Sequence, residues 1–285
     1  MKLSTEINSI SRIVGEEKAI EYLAKAGFNA WDFSMFSMGK MQDGELVQHP
    51  LNTSSYSYFA KKLRMISDDN GVKCNQSHAP FPVVSPTVKS FLKRAIECTA
   101  IAGGEICVIH PANDWGVTQN RDFYLELLPF AKEHGVKIAT ENMWNYNTSD
   151  WTIIDAACSN EKSFVEHLQA VNDDYFVACL DIGHAEILSL NTSAVKMIKA
   201  IGQKLQALHI HDIDLVHDNH QIPFSLKIDF IPIIKALKEI NYFGYFTLEA
   251  DNYLRAFNEE NAYQGVKDLY YSVKKIEDLF NKEQL

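Results

Sequence analysis

Glu141, Asp181, His211 and Glu249 are the residues of this 285-residue chain best suited to chemistry. Each closes a β-rich run: Val-Lys-Ile-Ala-Thr-Glu141, Val-Ala-Cys-Leu-Asp181, Leu-His-Ile-His211 and Phe-Thr-Leu-Glu249. Three carboxylates and one imidazole make an oxygen-rich donor set that suits one hard or borderline divalent ion, Mn²⁺, Mg²⁺, Co²⁺ or Zn²⁺. Such an ion polarises a carbonyl as a Lewis acid. Glu141 and Glu249 lie on different strands and can approach a bound substrate from two sides. One carboxylate would take a proton from the carbon beside the carbonyl, and the other, or the same one, would return it. Taken singly, each acid is equally a helix N-cap or a solvated loop residue. Their repetition along the chain argues for a shared site.

Two more runs end on histidine, at His78 and His110, so six successive endings fall 32, 31, 40, 30 and 38 residues apart. Parallel strands that bring their C-terminal ends to one place produce that spacing. Helical patterns alternate with the strands over 54–69, 86–102, 121–134, 161–171, 193–203, 230–240 and 261–279. Further strands are expected at 3–10 and 28–33, with a helix ending at Gly27 between them. The pattern predicts a single-domain (β/α)₈ TIM barrel over 1–285, with its polar mouth at the strand C-termini. An open doubly wound sheet fits less well, because its sites gather at one switch point. Asp229 is expected to cap the helix that begins at Phe230. The stretch 34–52 is long for a connection and reads as a lid.

Around the four-residue core stand groups with less specific duties. His184, in Asp181-Ile-Gly-His184, would hold a substrate hydroxyl or a second ion. His78, His110 and His220 would line the substrate site or fill the mouth with a hydrogen-bonded ring. His209 shares the strand face of His211 and suits a buried, hydrogen-bonded place in the barrel. Trp115 and Trp144 offer apolar walls for a sugar ring, although packing of loop on barrel would use them equally well.

The bulk properties limit the partners. A net charge of −10 argues against a broad grip on nucleic acid or an anionic membrane, and 46% hydrophobic residues supply an ordinary core. Five cysteines without Cys-x-x-Cys spacing read as buried free thiols in a reducing compartment. With no apolar leader or long apolar run, the expectation is a soluble cytoplasmic protein.

Thr140-Glu141-Asn142, Leu180-Asp181-Ile-Gly-His184, Leu208-His209-Ile-His211-Asp212, Ile228-Asp229-Phe230 and Leu248-Glu249 together resemble the xylose-isomerase-like barrel superfamily. The likeness is greatest to its sugar phosphate isomerase/epimerase family, which includes ketose 3-epimerases and inosose-processing enzymes. The resemblance implies that Glu141, Asp181, His211 and Glu249 hold one divalent ion, that Glu141 and Glu249 are the acid/base pair, and that His184 contacts substrate. The implied reaction is isomerisation or epimerisation of a sugar or polyol through an enediolate whose charge the ion spreads. Homo-oligomers are common among such barrels. The chain departs from the epimerase pattern at Asn147, at His217 and in Pro223-Phe-Ser-Leu-Lys227, where family members carry a glutamate, an arginine and a glycine-rich turn. An inosose-type dehydratase is therefore the alternative, and a non-catalytic sugar-binding barrel stands beside it. The set also resembles that of apurinic-site endonucleases, which bind three zinc ions with the residue types of His78, His110, Glu141, Asp181, His184, His211, Asp218, His220 and Glu249. The acidic balance speaks against that activity.

Overall fold

The computed structural model describes residues 1–282. Its barrel strands are β1 (Lys2–Thr5), β2 (Ala30–Ser34), β3 (Lys73–His78), β4 (Ile106–Val108), β5 (Lys137–Glu141), β6 (Phe176–Asp181), β7 (Leu205–His209) and β8 (Tyr245–Leu248). Strands β2 to β7 pair in parallel in chain order, and β1 pairs in parallel with β8. Parallel bridges from Glu6 to Asp32 and from Ile210 to Leu248 join the two sheets, closing the ring of a TIM barrel. One long helix follows each strand: Glu16–Ala26, Tyr56–Asp69, Pro86–Ala102, Val117–Glu133, Glu161–Val171, Ala194–Ile201, Phe230–Glu239 and Ala262–Asn281. Among the described residues, no helix is long and apolar enough to cross a membrane.

Strand periodicity explains how the mouth becomes polar. Side chains two residues apart share a face, so Val108, Ala139, Cys179 and Ala207, each one strand period before His110, Glu141, Asp181 and His209, form with Val177 a small apolar cluster of their own. These modest residues leave room above them for long polar side chains. The larger core lies around the barrel, where Ile20, Leu23, Leu92, Ile96, Phe164, Ile198 and Val273 are fully buried. All five cysteines are buried and free.

Two local expectations change. The strand expected over 3–10 stops at Thr5, and Asn8–Val14 is helical. The Glu6 carboxylate accepts a hydrogen bond from the Ser9 amide at 3.0 Å, turning the chain, while the apolar pair Ile7 and Ile10 satisfies a helical period as well as a strand's. The segment expected as a lid is stapled down. Its antiparallel hairpin, Met41–Gln42 with Glu45–Leu46, is exposed, yet Asn52 donates to the carbonyls of Ser37 and Val47 at 2.8 and 3.0 Å and accepts from Gly39 N at 2.8 Å. Phe36 is what this segment contributes to the mouth. Asp229 caps its helix as expected, accepting from Ile231 N at 3.0 Å.

Candidate metal centre

The carboxyl ends of the strands surround a cavity of about 670 Å³. Its floor holds His78, His110, Glu141, His184, Asp218, His220 and Glu249. Its walls include Phe36, Phe81, Val83, Trp144 and Tyr146, and Arg255 stands at its edge. In and around the floor, candidate ligating atoms of Glu141, Asp181, His209 and Glu249 lie within 4.8 Å of one another, as do those of His184, His211, Asp218 and His220, and those of His78, His110 and Glu141.

Asp181 ends β6 and caps the next turn, accepting from His184 N at 2.7 Å. It also faces His211, whose Nε2 lies 3.0 and 3.1 Å from its two oxygens. Gly183 is what allows this approach, because a Cβ there would run into the His211 ring. Asn142 fixes the turn from β5: its side chain donates to the Asp181 carbonyl and accepts from the Asp181 amide, both at 2.8 Å.

Three histidines have one ring nitrogen committed to the backbone. Nδ1–H of His78 donates to Ala79 O at 2.9 Å, that of His184 to Asn142 O at 2.9 Å, and that of His220 to Glu249 O at 2.7 Å. The remaining Nε2 atoms face carboxylates: His78 toward Glu141 at 3.7 Å, and His184 and His220 toward Asp218 at 3.2 and 3.1 Å. Fixing one nitrogen on a carbonyl is how a protein aims an imidazole at a cation. The His211 and His220 rings stack with centroids 3.9 Å apart. Trp144 also bonds Asp218, donating Nε1–H at 3.2 Å.

Burial disfavours charge on all these groups, and their neighbours decide which of them yields. Burial raises Glu249 well above the usual carboxylate range, and the charges of Glu141 and Asp181 reinforce it. For Glu141, burial is outweighed by His209 and His110, which hold the carboxyl well below its ordinary value. Asp218 is likewise held well below by His220 and His184 against its burial. Burial lowers His78, with repulsion from His110 adding to it, and this favours the neutral ring that a cation requires. For His184 the opposite holds: Asp181 and Asp218 override burial and raise it to about 10.

Does this donor set fit a divalent ion? Buried polar atoms are nearly always paired, yet His110 Nε2, Glu141 Oε2 and Asp218 Oδ1 are buried here without a hydrogen-bond partner. Orphaned ligand atoms of the right chemistry, with His110 Nε2 and Glu141 Oε2 3.3 Å apart and Asp218 among His184, His211 and His220, fit a cation.

Of the four residues expected to hold the ion, Glu141 and Glu249 line the cavity and Asp181 and His211 pair beside it; all four expected outer histidines line it too, with His110 beside Glu141 at 3.3 Å. Trp115 does not join them. It packs edge-on against Phe123, 6.1 Å between centroids, and the aromatic wall is provided by Trp144 and Phe81. Of the departures, Asn147 is half-buried just past Trp144–Tyr146 and His217 is exposed in a bend. Asp218, set aside in sequence except in the three-zinc pattern, proves to be a hub of the site. Its signal was Asp218-Asn-His220 just beyond a strand end. Asp32 and Asn142 were also passed over; a buried acid within Ala-Trp-Asp-Phe-Ser of β2 was the available sign for the first.

The fold and the site together define a class, the TIM barrels that gather acidic and histidine ligands at the C-terminal mouth. The profile of the xylose isomerase-like TIM barrel family matches residues 20–271, and the chain belongs to that family. Among known sequences it is similar to the uncharacterized protein MJ1311 of Methanocaldococcus jannaschii, 27% identical over 252 residues that cover 82% of this chain and 78% of that protein. Among solved structures it superposes on IOLI protein with a binding zinc atom, with a TM-score of 0.74 and 18% identity over 99% of this chain and 100% of the other. It likewise superposes on a D-tagatose 3-epimerase-like protein, with a TM-score of 0.69 and 20% identity over 98% of this chain and 99% of the other.

Proposed function

We propose that the chain is a divalent-metal-dependent isomerase or epimerase of a sugar or polyol, moving a proton at a carbon beside a carbonyl. The observation that carries this reading is the pairing of Glu141 and Glu249. They project from β5 and β8 into the same cavity, each with an oxygen toward the floor histidines. Glu141, Asp181, His211 and Glu249 would hold the ion, which supplies Lewis-acid polarisation of the substrate's carbonyl oxygen. Glu141 and Glu249 serve as the acid/base pair, reaching the substrate from β5 and β8. His184 and His220 contact substrate hydroxyls, Trp144 and Phe81 cover the apolar faces of a sugar ring, and His78 and His110 close the floor. IOLI and the tagatose-epimerase-like structure share this fold, and the zinc bound to the first is consistent with such a centre.

The test is a panel of keto-sugars and inososes incubated with the metal-loaded protein in deuterium oxide. Isomerase or epimerase chemistry gives products of unchanged composition that carry solvent deuterium, and Glu249→Gln lowers that incorporation by at least 100-fold, the usual worth of general acid–base catalysis. Undiminished incorporation removes Glu249 from the mechanism. A product lighter by one water identifies a dehydratase instead.

A second reading is favoured by one specific observation, the two outer groups His78/His110/Glu141 and His184/Asp218/His220. With His211, Asp181 and Glu249 they would accommodate three ions, the arrangement that clamps a phosphodiester for hydrolysis. Against it, Arg255 is the single arginine or lysine among the described residues lining the cavity, a poor footing for a nucleic-acid backbone. Metal analysis of the purified protein separates the two: one ion per chain supports the isomerase, whereas three zinc ions with cleavage of an abasic oligonucleotide support the nuclease.

A further inference from the structure

His209 is fully buried and does not line the cavity, and neither reading of the site gives it a role toward ion or substrate. Its Nδ1 lies 3.2 Å from Glu141 Oε1 and 3.4 Å from Glu249 Oε2. On the other side of the ring, Nε2 lies 3.4 Å from Asp32 Oδ2. Asp32 is itself fully buried and is held in turn by Gln76, whose Nε2 donates to the same Oδ2 at 2.9 Å. The chain of contacts therefore runs from β3 through β2 and β7 to both β5 and β8, across the inside of the barrel.

The oxygens divide along this chain. Glu141 gives Oε1 to His209 and leaves Oε2 toward His110 and His78, at 3.3 and 3.7 Å. Glu249 gives Oε2 to His209 and leaves Oε1 toward His78, at 4.0 Å. One imidazole thereby takes the inner oxygen of each carboxylate and turns the outer oxygen to the mouth. Two buried carboxylates this close repel each other unless a cation or donor stands between them. We propose that His209, anchored by Asp32 and Gln76, is a positioning residue that sets Glu141 and Glu249 with one oxygen each toward a divalent ion and its substrate. The inference rests on the reading of these glutamates as ligands and acid/base pair. A space-filling histidine would require only volume, whereas this one meets carboxylates at both nitrogens.

The decisive variant is Asp32→Asn, which keeps the shape of the side chain, touches no ligand and replaces the charged acceptor that orients His209 with a neutral amide. Full-length chain, freed of metal by chelation, is titrated with Co²⁺ and followed by its visible spectrum, with thermal unfolding of the metal-free protein as the check on folding. Outer partners of metal ligands typically contribute 10- to 100-fold in affinity. Co²⁺ affinity is expected to fall about tenfold in Asp32→Asn, with an altered spectrum, and further in His209→Leu. His209→Gln, which restores one donor, should recover part of the loss. Wild-type affinity and spectrum in Asp32→Asn, or recovery in His209→Leu equal to that in His209→Gln, overturns the proposal. Co²⁺ binding by the unaltered protein that is indifferent to Asp181→Asn instead sinks the metal centre itself, so the two failures are distinguishable.

Discussion

At the scale of single residues, the mouth depends on side chains that are small or polar where the pattern would allow something bulkier. Gly183 is the clearest case, since its missing Cβ is the space into which His211 packs against Asp181. Gly183→Ala should displace the imidazole, cost about 1–3 kcal/mol in stability as an overpacked site, and weaken metal binding more than tenfold. A Co²⁺ titration beside urea unfolding measures both, and unchanged affinity would refute the assignment of His211. Glu6 gives a pH-dependent prediction. Burial, with Asp251 adding to it, raises its pKa from 4.5 to about 7 in the folded protein. A carboxyl whose folded pKa lies above its unfolded one favours the native state while protonated, so its support is complete below pH 4.5 and is lost as pH rises through about 7. Glu6→Gln should therefore leave stability unchanged at pH 4 and raise it at pH 8 by up to about 3 kcal/mol. Denaturation curves at the two pH values decide it.

At the scale of elements, helix ends were the most legible features. Pro86–Ala102 and Glu161–Val171 lie where periodicity placed them, because Ser85-Pro86 and Asn160 start them and Gly103, in the left-handed region at φ 87, ends the first. Asn160 accepts from Ser163 N at 3.0 Å, and Asn160→Ala should cost about 1 kcal/mol in urea unfolding without altering metal affinity. Short strand ends were less legible. β1 gave way to a helix after Thr5 because Ile7 and Ile10 fit both periods and the deciding contact, Glu6 with Ser9, becomes available only once the chain turns. The stretch 34–52 was long enough for a lid, but the three hydrogen bonds made by the Asn52 side chain could not be inferred from its length.

At the scale of the whole molecule, the centre joins strands far apart in the sequence, so ligand binding and barrel stability are coupled. An ion that binds the folded chain alone stabilises it by about 2.7 kcal/mol at 100 times its dissociation constant, and roughly 5 °C or more in Tm follows for a chain of this size. Chelation should reverse the shift, and Asp181→Asn should abolish it. A Tm that ignores both metal and chelator would mean that these ligands bind no ion. The sequence by itself determined the barrel and which residues close its strands, because strand–helix alternation is a local property and Glu141, Asp181, His211 and Glu249 each stand at or just past the end of a strand. What only the tertiary structure decided is how the remaining polar groups are shared: Trp115 against Phe123, Asp218 among His184, His220 and Trp144, and His209 between Asp32 and the two glutamates. Apart from Trp115 with Phe123 and Asp218 with His220, those contacts join residues 34 to 177 positions apart, and no spacing rule along one strand or helix reaches so far. They arise when the ring closes and brings the strand ends within hydrogen-bonding distance.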